Sequence, residues 1–143
     1  ASTIFLNYFN FPGNEHWYSV NVGNLHMIIL DSAFSASDPA QLAWLEADLQ
    51  SSASKSRITG VMFHHPIFVS TISDYLINEN VDFVISGHYH SYAHTVSSGI
   101  HYFVCSGQSA IGYFLTEIFE NSAVFYIKNS SNTLIDTITV LDR

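Results

Sequence analysis

The chain has 143 residues, enough for one domain with a sizeable core, and its 48% hydrophobic and 15% aromatic content excludes a disordered chain. Its formal net charge is −8, from 12 acidic residues against 4 Lys and Arg. Nucleic-acid binding is excluded as a function, because it requires clustered Lys and Arg to neutralise phosphates. An acidic chain that handled an anionic ligand would need another source of positive charge, and bound metal ions are the obvious one.

Cys105 is the only cysteine, which excludes an internal disulfide and a cysteine-based zinc cage. It follows an apolar run, so we expect it to be a small buried apolar residue rather than a nucleophile. No stretch reaches the roughly 18 apolar residues that a membrane-spanning helix needs, so we expect no membrane contact.

The first elements in chain order are predicted to form a hairpin. Residues 17–22 alternate between apolar and polar side chains, which is typical of a strand. Gly23 and Asn24 predict a tight turn into a second, more deeply buried strand over residues 25–30.

A helix is predicted to begin at Asp38 and Pro39, with Asp38 as the N-cap and Gln41 at the capping-box position. Leucines recur after it at helical spacing: Leu42, Leu45 and Leu49. A second helix is predicted over residues 71–79.

Two apolar strands are predicted over residues 58–63 and 81–85, and strands dominate the rest of the chain. Because both are apolar on both faces, we expect their sheet to be covered on both sides. The later strands are predicted over residues 94–96, 100–104, 113–119, 123–127 and 133–140. Two early helices followed by many strands predict an α/β fold that leans towards α+β.

Histidines cluster after these two apolar strands. His64 and His65 end the first, just before Pro66, and three more follow the second: His88, His90 and His94. Ligands gather beyond the carboxyl ends of strands in open α/β sheets, and neutral imidazole is a ligand for zinc, iron, manganese and nickel. The pattern therefore predicts a metal site at one edge of the sheet.

Other histidines are expected to be hydrogen-bonded or surface residues rather than ligands: His16, His26 and His101. Asn14 and His16 are weaker candidates for the site, and Asp31, which closes a predicted strand, is expected to serve a turn rather than face the site.

The two histidine motifs resemble those of calcineurin-like metallophosphoesterases. His64-His65-Pro66 is similar to the His-x-Pro motif of that superfamily, and Gly87-His88-Tyr89-His90 is similar to its Gly-His-x-His motif. The segment after His90 resembles the purple-acid-phosphatase-like branch, although His94 stands where that branch usually has an arginine. The resemblance covers nearly the whole chain in motif order.

The resemblance implies roles for these residues in a binuclear metal centre. His64 and His88 would bind one ion and His90 the other, where the ions are two divalent or trivalent transition metals: Fe, Mn or Zn. His65 would have a catalytic role, either in the layer behind the metal ligands or near the substrate, and His94 would contact the substrate. The implied reaction is hydrolysis of a phosphomonoester or phosphodiester.

The aspartate motifs that complete such a centre are not found in this sequence. We therefore expect residues 1–143 to be a single domain or half-domain: the C-terminal half of a layered αββα sandwich. Its partner would be the N-terminal half, in the same or a separate chain, or another copy of itself. The branch leans towards exported proteins, but the compartment stays open.

Two alternatives remain open. One is a non-catalytic, truncated relative or interaction module with a mononuclear or empty metal site. The other is a β-sandwich of the adhesion type, which would leave the two histidine motifs unexplained.

Overall fold

The computed structural model describes residues 8–33, 37–51, 55, 57–107 and 112–143. Within these ranges it contains two α-helices and nine strands, which confirms the predicted α/β class, and most element boundaries agree with the predicted ones to within two residues. The elements are β1 (Tyr18–Val22), β2 (Leu25–Ile29), α1 (Pro39–Leu49), β3 (Ile58–Met62), a 3-10 helix (Pro66–Phe68), α2 (Val69–Asn78), β4 (Phe83–Ser86), β5 (Ala93–Ser97), β6 (Ile100–Val104), β7 (Gly112–Ile118), β8 (Ser122–Asn129) and β9 (Leu134–Leu141).

Six strands form the larger sheet, in the order β1-β2-β3-β4-β6-β5. The four central strands, β2, β3, β4 and β6, are parallel, and β1 and β5 pair antiparallel at the two edges. The predicted hairpin is confirmed: β1 and β2 are joined at Gly23, whose φ of 57° lies in the left-handed region that glycine adopts without strain. The carboxyl ends of the four parallel strands consequently share one edge.

Two helices cover one face of this sheet and bury its first apolar cluster, which includes Ile28, Val61 and Val84. The helix α1 begins as predicted, with the Asp38 carboxylate accepting a hydrogen bond from the Ala40 amide at 2.9 Å. Gln41, predicted at the capping-box position, is buried and hydrogen-bonded to the backbone of Asp31 through both amide atoms. Neither helix in the described ranges is long and apolar enough to cross a membrane.

The opposite face is packed by the smaller antiparallel sheet, β7-β8-β9. Its contact with the larger sheet centres on Phe125, whose ring centroid lies 5.0 Å from that of Phe83 and 4.6 Å from that of Phe103. The Phe83 ring in turn occupies the space above Gly60, where a Cβ atom would lie 2.3 Å from it. The described residues thus form three layers: helices, the six-stranded sheet and the three-stranded sheet.

A buried carboxylate ties together the edge of the larger sheet where the parallel strands begin. Asp82 is 1% exposed, and its two oxygens accept hydrogen bonds from the amides of Thr59 (2.7 Å) and Arg143 (3.1 Å). Burial raises the pKa of this carboxyl to about 6, against the lowering effect of the two amides.

This raised pKa makes stability depend on pH in a defined window. Between about pH 4 and pH 6 the folded chain holds a proton that the unfolded chain has released, so the Asp82 contribution to the free energy of unfolding falls as pH rises. We expect urea unfolding from pH 4 to 7 to show a decline of at most roughly 3 kcal/mol that Asp82→Asn lacks. Identical pH dependence in the two proteins would contradict the assignment.

Candidate metal site

The ends of the central strands are aligned by backbone hydrogen bonds that continue past the strands themselves. The amide of Leu30 donates to Met62 at 2.9 Å, and the amide of Phe63 donates to Ile85 at 3.1 Å. One step further, the Gly87 amide donates to the carbonyl of His64 at 3.0 Å. The loops after β2, β3 and β4 therefore leave the sheet side by side.

Three of the predicted site histidines meet at this edge. One nitrogen from each of His64, His65 and His88 lies within 4.8 Å of the other two. The ring centroids are 4.7 Å apart for His64 and His65, and 5.4 Å apart for His64 and His88. His64 and His88 are exposed and His65 is half-buried, so the group is open to ligands.

The loop after β4 adopts backbone conformations that L-residues rarely take. His88 and His90 have φ values of 73° and 54°. Gly87 lies against the His64 ring, and a Cβ atom there would be 3.3 Å from its Nδ1. Left-handed non-glycine residues are strained and are concentrated at functional sites, which is consistent with a loop shaped for ligand binding.

His90 lies beside the group of three without joining it. Its ring rests against Gly107, where a Cβ atom would be 2.8 Å from the His90 Cδ2 atom. It nevertheless acts on His64 through its charge. Burial is the largest cause that lowers the pKa of His64, and the charges of His65, His88 and His90 lower it further. A lowered pKa keeps His64 neutral at pH 7, which is the form that binds a metal.

Ser32 is a site residue that the sequence analysis missed. Its Oγ accepts hydrogen bonds from the backbone amides of His64 (3.1 Å) and His65 (2.9 Å) and lies 3.1 Å from the Nδ1 atom of His65. The only signal in the sequence is its position two residues after the strand predicted over residues 25–30, and a serine there is too common to be informative.

Asp31 holds its own loop, as predicted for a turn residue. Its Oδ1 atom accepts from the Ala33 amide at 2.8 Å, and Oδ2 lies 3.6 Å from the Nδ1 atom of His16. The Asn14 side chain accepts from the amides of His16 and Trp17, both at 3.0 Å, and so shapes the turn before β1.

The structure does not bring His94 into the imidazole group. Its Nε2 atom lies 3.1 Å from Nδ1 of His101, and its ring stacks on Phe103 with centroids 4.7 Å apart. The cause is its register on β5, where it pairs with Phe103 at the sheet edge. Its substrate contact stays a prediction.

Two further residues lie as expected outside the site. His26 is buried and hydrogen-bonded through both ring nitrogens, to Asp48 at 2.8 Å and to Asn21 at 2.7 Å. Cys105 is half-buried, and burial raises the pKa of its thiol, which disfavours the thiolate that a nucleophile requires.

The grouped imidazoles can supply ligands to one transition-metal ion. Zinc–nitrogen bonds are about 2.0–2.1 Å long, so nitrogens that lie as far as 4.8 Å apart must come closer by ring rotation to share an ion. Within the described residues the group contains no carboxylate, the ligand type that commonly bridges two ions. The described residues therefore account for one ion and not for two.

Comparison with known proteins supports the fold. No family model matches the chain. The purple acid phosphatase PPD1 from yellow lupin (Lupinus luteus) seeds is similar in structure, with a TM-score of 0.79 and 15% identity over 94% of this chain and 34% of its own. GAP50, described as the anchor in the inner membrane complex of Plasmodium, has a TM-score of 0.71 and 18% identity over 89% of this chain and 55% of its own.

The chain spans about half the length of GAP50 and a third of the length of PPD1. At these identities the likeness establishes the fold and leaves the activity open. The resemblance inferred from the two histidine motifs is confirmed at that level: the chain has the fold of the calcineurin-like metallophosphoesterases.

Proposed function

We propose that this chain is the histidine-bearing part of a metal-dependent phosphoesterase that hydrolyses phosphomonoesters or phosphodiesters. The observation that carries the proposal is the group of His64, His65 and His88 at the aligned carboxyl ends of β3 and β4. In this proposal His64 and His88 bind one ion. His90, on the same loop as His88, binds a second ion whose other ligands come from outside the described residues.

The distribution of charge supports a metal as the partner of an anionic substrate. Three of the four cations line a small pocket that also includes Asp82, at the edge where the parallel strands begin: Lys55, Arg57 and Arg143. The fourth, Lys128, donates to Asn132 on the smaller sheet. At the opposite edge, where the parallel strands end, the charged neighbours that act on His64 are histidines. Positive charge at the histidine edge therefore has to come from bound ions or from protonated imidazoles.

Transition-metal ions at such a site supply Lewis acidity that polarises a phosphoryl group and activates water. The chain's own residues would hold them: neutral imidazoles from two loops that backbone hydrogen bonds keep in register. Iron, manganese and zinc all accept this donor type.

The first test is metal binding. We expect His64→Ala and His88→Ala each to lower Zn²⁺ affinity by at least about tenfold in calorimetric titrations, since each removes a ligand. Affinity should also fall below about pH 6.5, as the imidazoles become protonated.

His101→Gln is the matched control. It removes an imidazole on β6 outside the group while leaving an amide that can contact His94. Equal affinity in all of these variants and the wild type would exclude the proposed site.

The second test is hydrolysis. We expect the protein containing this chain together with its partner segment to release p-nitrophenol from p-nitrophenyl phosphate or its bis-ester only with added metal. Metal-dependent activity should fall by about 100-fold or more in His88→Ala, because electrostatic stabilisation of the transition state is lost. Activity that survives both chelation and this substitution would exclude the mechanism.

A non-catalytic role is the second candidate, and the likeness to GAP50, described as an anchor, favours it. The same fold would then serve as an interaction module with one ion or none. Zinc binding without any metal-dependent hydrolysis, in a protein that contains the whole fold, would support this candidate over the enzyme.

An open apolar cleft between the two sheets supports the proposal that a further segment packs against this chain. The cleft has a volume of about 610 Å³ and is lined by Met27, Met62, Phe83 and Ile85 on one side and by residues of β7 on the other. Among the described strands, nothing pairs with the outer edge of β7. Gly87 and Cys105 also line the cleft, so a segment that filled it would reach the histidine loops.

We propose that the N-terminal half of the same protein fills this cleft. Without it, the 16.0-kDa chain should associate with itself in light scattering, because apolar surface and an open strand edge favour pairing. Met62→Lys, in the cleft, should reduce the association, whereas Ile77→Lys, at a similarly exposed apolar position on α2, should not. A compact wild-type monomer would contradict the prediction.

A further inference from the structure

The hydroxyl of Ser32 has three polar contacts, and counting its donors and acceptors assigns each one. A hydroxyl has one hydrogen and two acceptor lone pairs. The amides of His64 and His65 can only donate, so they occupy both lone pairs. The third contact, to His65 Nδ1 at 3.1 Å, must therefore use the hydroxyl hydrogen.

We propose that Ser32 is a positioning residue that holds neutral His65 as the tautomer with its proton on Nε2. The Nδ1 atom accepts the hydroxyl hydrogen and is therefore unprotonated. In neutral imidazole the one ring proton must then lie on Nε2. The serine is itself fixed, since it is 9% exposed and bonded to the two amides at the start of the loop.

The backbone adds to this constraint. His65 is followed by Pro66, which restricts the residue before it to extended conformations, and His65 has φ −93° and ψ 113°. With the main chain restricted and one ring nitrogen bonded, the ring of His65 has less freedom than those of the exposed His64 and His88.

The tautomer separates the roles of the three imidazoles. A nitrogen that carries a proton cannot bind a metal, and the Nδ1 atom of His65 is already occupied. His65 is therefore a hydrogen-bond donor to an anion held beside the metal, such as a phosphoryl oxygen, while His64 and His88 remain free to act as ligands. This role rests on the proposed function, whereas the tautomer itself does not.

The tautomer is tested on the metal-free chain with ¹⁵N-labelled histidine, at about pH 8, where ordinary imidazoles are neutral. Two-bond ¹⁵N–¹H spectra should show His65 Nδ1 as an unprotonated acceptor and Nε2 as protonated. Ser32→Ala should shift the Nδ1 resonance, and Ser32→Thr, which keeps the hydroxyl, should restore it. Protonated Nδ1 in the wild type, or spectra unchanged by Ser32→Ala, would overturn the assignment.

The division of roles is tested with variants of His65, which leave the serine and both amides in place. The amide nitrogen of glutamine can replace Nε2, and that of asparagine can replace Nδ1. We expect His65→Gln to keep Zn²⁺ affinity within about threefold of the wild type, whereas His64→Ala loses at least about tenfold. For inorganic phosphate on the zinc-loaded protein, His65→Asn should weaken binding about tenfold and His65→Gln much less.

Two results separate this inference from the proposed function. Loss of Zn²⁺ affinity in His65→Gln as large as in His64→Ala would make His65 a ligand and overturn the donor role. Absence of zinc binding by the wild type would overturn the proposed function, and the spectra of the metal-free chain decide the tautomer in that case as well.

Discussion

The register of the parallel strands is the constraint on which the site depends. Ile29, Met62 and Ile85 are paired across β2, β3 and β4, and the ladder continues beyond them into the loops. A shift of one residue in any strand would turn its side chains to the other face and displace its loop from its neighbours. Because the register is held by apolar side chains on both faces of the sheet, the core determines where the histidines stand.

The two faces of the six-stranded sheet are not equally covered, and the uncovered part lies next to the histidine loops. Two helices pack on one face and bury its side chains, which include Ile28, Val61 and Val84. On the other face three strands cover Phe83 and Phe103 but leave a cleft over Met27 and Met62. The cleft reaches Gly87, the residue before His88. The cleft and the histidine loops are therefore neighbours, and in the proposed function one additional segment would fill the cleft and supply the further ligands.

The sequence predicted the strands, both helices and the three grouped histidines, because apolar periodicity and strand-end motifs are local signals. It could not predict Ser32, since the hydrogen bonds of that residue depend on a neighbour 32 positions later in the chain. It also could not predict that the edge pairing of β5 stacks His94 on Phe103. Cross-strand register decides such contacts, and spacing along the chain does not encode it.

The two similar structures, a phosphatase and an anchor protein, show that this fold does not decide between catalysis and binding. The choice between catalysis and binding depends on which metal ligands are present. Imidazoles alone hold one ion and supply no bridging group, so a two-metal reaction depends on carboxylates brought to the edge of the sheet. Asp31, which follows β2 at the same edge, has its oxygens directed at its own loop and at His16. Carboxylates from a segment in the cleft would turn this histidine group into a catalytic centre, and without them the same group can hold an ion only as a structural or binding element.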